Sequence, residues 1–320
     1  MSMSKIIIAH YFLANAQAPA NASLPEAVSL KINNGEVKFF QSPLIEEDAF
    51  LMFSEHLWRL DFFQQSDFNQ TIWVKLVDAD TSLSIDEIKD SLKPRVKTER
   101  IKFSDNKTLG YALFMVGDIE RMDDEQISVI SQVLRGSNTL TAEAFTPLGV
   151  DSQLFMDGRG FALITTNPLK LTNFKRQVLL ACLGKAYLLS LEQAVCELAE
   201  HCENYEYLAW LYRASAMFNA KYYFNQPVHS DRIELFPFWK AVRETLPIEE
   251  MSQELRDQLS STHRLLEQDQ AALAAVQEKK MSKRVTYFGL VIGLLSLFAL
   301  VEITPSKVMA FLGGWWGLFS

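Results

Sequence analysis

Residues Val285–Ile303 read VTYFGLVIGLLSLFALVEI, and the run's single charge is Glu302 at its far edge. As a helix rising ~1.5 Å per residue it covers roughly 28 Å, close to the hydrocarbon thickness of a bilayer. A globular surface helix keeps one polar face, and core helices seldom stay apolar all round for so many turns. The run is therefore expected to be a transmembrane helix, with the lipid bilayer as its first partner. Lys279, Lys280, Lys283 and Arg284 stand before it and Lys307 follows it. That asymmetry places the long N-terminal portion on the cytoplasmic side of the inner membrane. Thr304-Pro305-Ser306 ends the span. Val308–Phe319 is about half the length of a second crossing. Trp315 and Trp316 suit the headgroup zone, so residues 304–320 read as a re-entrant or interfacial tail.

The other end of the chain needs the same test. Lys5–Ala14 (KIIIAHYFLA) is apolar, but its h-region is short and contains His10. It reads as a first β-strand rather than a signal peptide. Of the 320 residues 48% are hydrophobic and 12% aromatic, enough to build a packed core, which excludes a disordered chain. A formal charge of −8 argues against a general nucleic-acid binder. Cys182, Cys196 and Cys202 fall in one helical stretch and are expected to be reduced, buried thiols. Cys196, His201 and Cys202 match no zinc-ligand spacing.

Residues 1–167 predict an α+β or α/β cytoplasmic domain. Strands are expected at Lys5–Leu13, Glu36–Phe40, Thr71–Val77, Arg100–Phe103, Leu109–Val116 and Gly160–Thr165, all rich in β-branched or aromatic residues. Helical spacing occurs at Glu46–Phe63 and Ser84–Lys93. A further helix opens at Asp123, with Gln126 three residues on, and stops at Gly136. Asp157-Gly-Arg-Gly160 is a turn. After Asn167-Pro168 strand signals cease. Residues 168–246 predict an all-α region with helices at Gln177–Cys202, Tyr205–Phe224 and a shorter segment at Asp231–Thr245. In the second helix Leu208, Leu211, Ser215, Phe218 and Tyr222 mark the buried face. A long stalk helix, residues 247–284, then continues into the membrane helix at 285–303.

Chemistry-bearing motifs are absent: no GxxxxGK[ST], GxGxxG, HExxH, CxxC or GxSxG occurs. No catalytic residue or organic cofactor is assigned, and the chain does not read as an enzyme. Asp118, Glu120, Asp123 and Asp124 offer oxygen ligands for a divalent cation, although a helix start explains most of them without one. Lys93, Arg95, Lys97 and Arg100 form a basic stretch able to receive an anion, interleaved with acids as ordinary surfaces are. In the span, Gly289 and Gly293 form a GxxxG that allows close helix approach. Ser296 can face a bundle interior, and Glu302 can ring a pore mouth if several copies assemble.

This layout, with an α/β domain, a helical layer and a stalk helix entering the membrane near the C-terminus, resembles CorA-type magnesium transporters. The family's Gly-Met-Asn signature would fall near residues 303–315. The chain instead reads ITPSKVMAFLGGW there. The stretch Leu265–Leu273 (LLEQDQAAL) is similar to a group of uncharacterised bacterial membrane-anchored proteins. The continuous stalk, the glycine-bearing span and the Trp-rich tail point to a homo-oligomeric, CorA-like channel or membrane effector. Its cytoplasmic domain would respond to a protein or small-molecule trigger, as in bacterial antiviral defence. The alternative is a tail-anchored scaffold or sensor without transport activity.

Overall fold

A computed structural model describes residues 5–17, 27–33, 35–44, 46, 48–80, 87, 90, 102–300 and 309. The strands are β1 (Lys5–Gln17), β2 (Val28–Ser29), β3 (Lys31–Ile32), β4 (Gly35–Glu36), β5 (Phe50–Ser54), β6 (Leu57–Phe62), β7 (Gln70–Asp80), β8 (Lys102–Val116), β9 (Thr146–Pro147), β10 (Ser152–Asp157) and β11 (Gly160–Thr165). The helices are α1 (Asp124–Arg135), α2 (Leu171–Glu200), α3 (Tyr205–Tyr222), α4 (Phe236–Thr245) and α5 (Ile248–Leu300). The chain divides into two compact units, Met1–Ser260 and Ser261–Ser320.

The first unit is α+β. Among the described residues its main sheet has nine strands in the order β2-β5-β6-β7-β1-β8-β11-β10-β9. All neighbours are antiparallel except β11 with β8. β1 lies near the middle, between β7 and β8, and its Ile6-Ile7-Ile8-Ala9 run is buried on both faces. A strand covered on both sides reads as a continuous apolar run instead of an alternating one.

Alternation nevertheless sorts the faces. Ile6, Ile8, Leu113, Met115, Ala162 and Ile164 pack with Ile127, Ile130, Val133 and Leu134 of α1. Residues of the opposite parity, Phe114 and Phe161, stack against Phe174 of α2, and Phe161 also meets Phe238 of α4. The helices after Asn167 therefore pack on the sheet, and the change at Asn167-Pro168 is a change of secondary structure within one compact unit. α2 is buried over most of its circumference, from Phe174 through Cys182 to Leu198. Gly184 lets α4 approach, since a Cβ there would lie 2.6 Å from a Val242 methyl.

Several expectations need correction. Glu46–Phe63 is not a helix: it holds the antiparallel β5–β6 pair joined through Glu55-His56. Its Leu, Met and Glu content favours helix, but pairing of β6 with β7 decides the outcome, as long-range contacts commonly do for strands. Glu36–Phe40 contributes only the end of β4 and an isolated bridge from Phe40 to Val228. The two strands expected around 100–116 are one long β8, with register shifts against β1 that absorb the irregular stretch between them. β10 was not foreseen. Cys182 is buried, but Cys196 and Cys202 are exposed, because they fall at the solvent-facing end of α2 and just beyond it. Ser84–Lys93 lies almost wholly outside the described residues.

Candidate membrane segment

Among the described residues, the helical stretch Pro168–Glu200 is long and apolar enough to cross a bilayer. However, 67% of its most apolar window is buried inside the first unit, where Val178 and Leu180 are fully buried and Phe174 meets the rings of Phe114 and Phe161 in the sheet. Its apolarity serves as core.

The segment anticipated at 285–303 presents the opposite situation. It is helical to Leu300, its side chains are described to Ser296, and residues 301–303 lie outside the described residues. Val285, Tyr287, Phe288, Leu290, Val291, Ile292, Leu294 and Leu295 are all 50–71% exposed. Leaving seven such aliphatic and phenyl side chains half in water forfeits on the order of 10 kcal/mol of burial. That rivals the whole stability of an ordinary domain. Exposed apolar surface of this extent is characteristic of protein or membrane contact surfaces.

Its azimuthal pattern is informative. At about 100° per residue the large apolar side chains sweep roughly two-thirds of the circumference. Within the remaining sector Ser282, Thr286, Gly289, Gly293 and Ser296, spaced alternately four and three apart, fall inside a band about 80° wide. A Cβ placed at Gly289 or Gly293 would meet nothing within 4 Å among the described residues. The Thr286 hydroxyl donates to the Ser282 carbonyl at 2.8 Å, so it needs no outside partner. Lys279, Lys280, Lys283 and Arg284 are exposed just before the apolar run. Glu302, Trp315 and Trp316 lie outside the described residues.

The other candidates disperse. Asp118 caps a short 3-10 turn by accepting from the Glu120 amide. Asp123 caps α1, accepting from the Gln126 amide at 2.8 Å while the Gln126 side chain accepts from the Asp123 amide. Asp124 and Glu125 occupy the first turn of α1, where the helix dipole favours them. Among the described residues no three His, Cys, Asp or Glu side chains converge on a metal position. Lys93, Arg95, Lys97 and Arg100 lie outside the described residues.

Sequence reasoning missed one half-buried polar cluster. Lys185 of α2 donates to the Gly158 carbonyl at 2.7 Å, beside Asp157, Cys182 and Tyr11. Burial pushes the Lys185 ammonium below its ordinary range and drives the Cys182 thiol and Tyr11 phenol above theirs. The cavity beside them holds only about 20 Å³, room for a water but not for a substrate. No sequence spacing marks it, because its members come from β1, α2 and the β10–β11 turn. No family model, curated protein or solved structure matches the chain.

Proposed function

We propose that this chain is a membrane-anchored protein. Residues 285–303 insert into the inner membrane as a helix and hold the α+β unit on the cytoplasmic side. Copies associate through the Ser282-to-Ser296 stripe, and the assembly works on the bilayer as a channel or effector governed by the α+β unit. The observation that carries this reading is the ring of exposed large apolar side chains interrupted by one small-residue sector. Lipid covers the former, and a second helix covers the latter through close backbone approach. The four cations before the segment stay with the anionic inner leaflet.

The test has three arms. Expressed full-length protein should sediment with membranes and need detergent for release. Recovery in the soluble extract without detergent would sink the proposal. In a background with Cys182, Cys196 and Cys202 replaced by serine, Ser296→Cys should form an intermolecular disulfide in membranes, whereas Leu294→Cys on the lipid-facing side should not. Reconstituted into liposomes, the protein should release an entrapped ion or dye. A protein that anchors and crosslinks but never leaks under any condition is a scaffold, and the channel part of the reading is then lost.

A further inference from the structure

We infer that the groove between the β6–β7 loop (63–69) and α3 binds a small aromatic anion of nucleotide size, contacting its ring through Trp210 and its anionic group through Arg213 and Lys221. The groove has a volume of about 350 Å³, at the lower end of small-molecule sites. Its helix wall comes from positions spaced by turns: Trp210, Ala214, Met217 and Lys221 recur at i, i+4, i+7 and i+11 and so share one side of α3. Ala214 is small and leaves a notch between the larger Trp210 and Met217. Trp210 is 41% exposed and Met217 61%, although the adjoining side of α3 is buried through Leu208, Leu211, Ser215 and Phe218. An indole face and a thioether flanking a notch suit a flat conjugated ring.

The polar groups fit the same ligand. Arg213 has no hydrogen bond or ion pair among the described residues, so its guanidinium fork is unspent. Lys221 Nζ sits 2.5 Å from Gln65 Oε1 and 3.9 Å from a Glu46 carboxylate oxygen, which fixes it at the rim. Tyr222 lines the groove and is 2% exposed, yet its hydroxyl finds no partner among the described residues. A buried hydroxyl left unpaired is unfavourable, and an acceptor on a bound ligand would satisfy it. Asp67, on the loop wall, supplies an acceptor for N–H groups at the ring edge.

The walls are preformed. Phe63 opens the loop at φ 58°, a left-handed conformation that a bulky side chain rarely adopts, and it is held there by the rings of Tyr187, Phe218 and Tyr222 at 5.0–5.4 Å. Ser66 Oγ accepts from the Phe68 amide, and the Phe68 carbonyl accepts from Ser190 of α2 at 2.8 Å. Strain of this kind persists where surrounding contacts over-determine it, which is common at ligand sites.

The site does not depend on the membrane reading, and its test is separate from leakage. Purified full-length protein in detergent micelles would be titrated calorimetrically with AMP, GMP, CMP and UMP, and with adenosine and ribose 5-phosphate as half-ligands. At least one monophosphate should bind more tightly than about 1 mM. Both W210A and R213A, which change exposed side chains and should keep the wild-type melting temperature, should weaken it about tenfold or more. W210F should restore most of the affinity. Failure of all four monophosphates to bind, or equal binding by W210A and R213A, overturns the proposal. So does ribose 5-phosphate binding as tightly as the best monophosphate, because the ring would then contribute nothing.

Discussion

Arg135 and Lys185 hold the same four-residue turn from opposite faces of the sheet. Arg135, the last residue of α1, donates through Nε to the Asp157 carboxylate at 2.8 Å, and Lys185 of α2 donates to the Gly158 carbonyl at 2.7 Å. Asp157 is the hub: its other oxygen accepts from the Arg159 and Gly160 amides at 2.8 and 3.1 Å. Arg159 returns the tie by donating to the Arg135 carbonyl at 2.7 Å. The β10–β11 hairpin is thereby pinned to both helical layers. Replacing Asp157 by Ala orphans two turn amides and the Arg135 guanidinium at once. It should cost about 2–3 kcal/mol, against about 1 kcal/mol or less for Arg135→Ala, whose ion pair is partly solvated. Equal losses in thermal melts of the two variants would show that Asp157 is not the hub.

The same turn makes an unequal demand on its two glycines. A Cβ at Gly160 would lie 1.8 Å from the Tyr111 carbonyl oxygen, where β11 runs parallel to β8. Backbone cannot yield there without breaking the pairing. At Gly158 a Cβ would meet nothing within 4 Å. Gly160→Ala should therefore lower stability by about 3 kcal/mol or fail to fold, as severe overpacking does, while Gly158→Ala stays within about 0.5 kcal/mol. Comparable melting temperatures for the two variants would contradict the close approach.

The acidic cluster offers a test of cap against metal. If Asp123 works as an N-cap, Asp123→Ala costs about 1 kcal/mol and Asp124→Ala only a few tenths, its dipole contribution. Neither loss should depend on added magnesium or calcium. A melting temperature that rises with millimolar cation in the wild type and not in Asp123→Ala would instead make the cluster a cation site.

Parts of this architecture were legible because their signals are local. Asp123, Gln126 and Gly136 bracket α1 as spacing requires, and Gly136 takes the left-handed C-cap conformation at φ 70°. Leu208, Leu211, Ser215, Phe218 and Tyr222 are the buried side of α3, as their three- and four-residue spacing predicts. Gly160–Thr165 emerged with its bounds intact. What stayed hidden is decided at a distance. The β5–β6 pair becomes strand only through β7. The Lys185 constellation spans β1, α2 and the β10–β11 turn, and the α3 groove needs a loop more than 140 positions upstream of Trp210. No window along the chain contains those partners.

Alkaline pH probes the junction between α2 and α3. The Tyr187 hydroxyl donates to the Tyr222 carbonyl, and burial pushes its ionisation well above the ordinary tyrosine range. With the folded pKa above the unfolded one, the contribution is complete below about pH 10 and disappears as pH climbs through the folded value. Tyr187→Phe should cost about 1 kcal/mol near neutrality through the lost hydrogen bond. The gap between wild type and variant should then close above about pH 10, since the phenylalanine has no proton to lose. Tyr11, likewise raised by burial, leaves some alkaline sensitivity in both proteins. A gap that stays constant from about pH 8 to 11 would mean Tyr187 ionises no differently in the folded chain.

The glycine pair in the last helix separates anchoring from assembly. Gly289 and Gly293 share a sector with Ser282, Thr286 and Ser296, away from Phe288, Ile292 and Leu295. Replacing both glycines by isoleucine increases apolarity, so insertion should be retained or strengthened, but it fills the sector where two backbones can come close. Gly289→Ile/Gly293→Ile is expected to remain in the membrane fraction while losing the Ser296→Cys intermolecular disulfide and any liposome leakage. Ile292→Asp should act the other way. A carboxylate near the middle of the run costs about 2.5–3.5 kcal/mol on insertion scales, and it should shift protein toward the soluble fraction. If the isoleucine pair crosslinks and leaks like the wild type, the small-residue sector has no part in assembly, and anchoring alone survives.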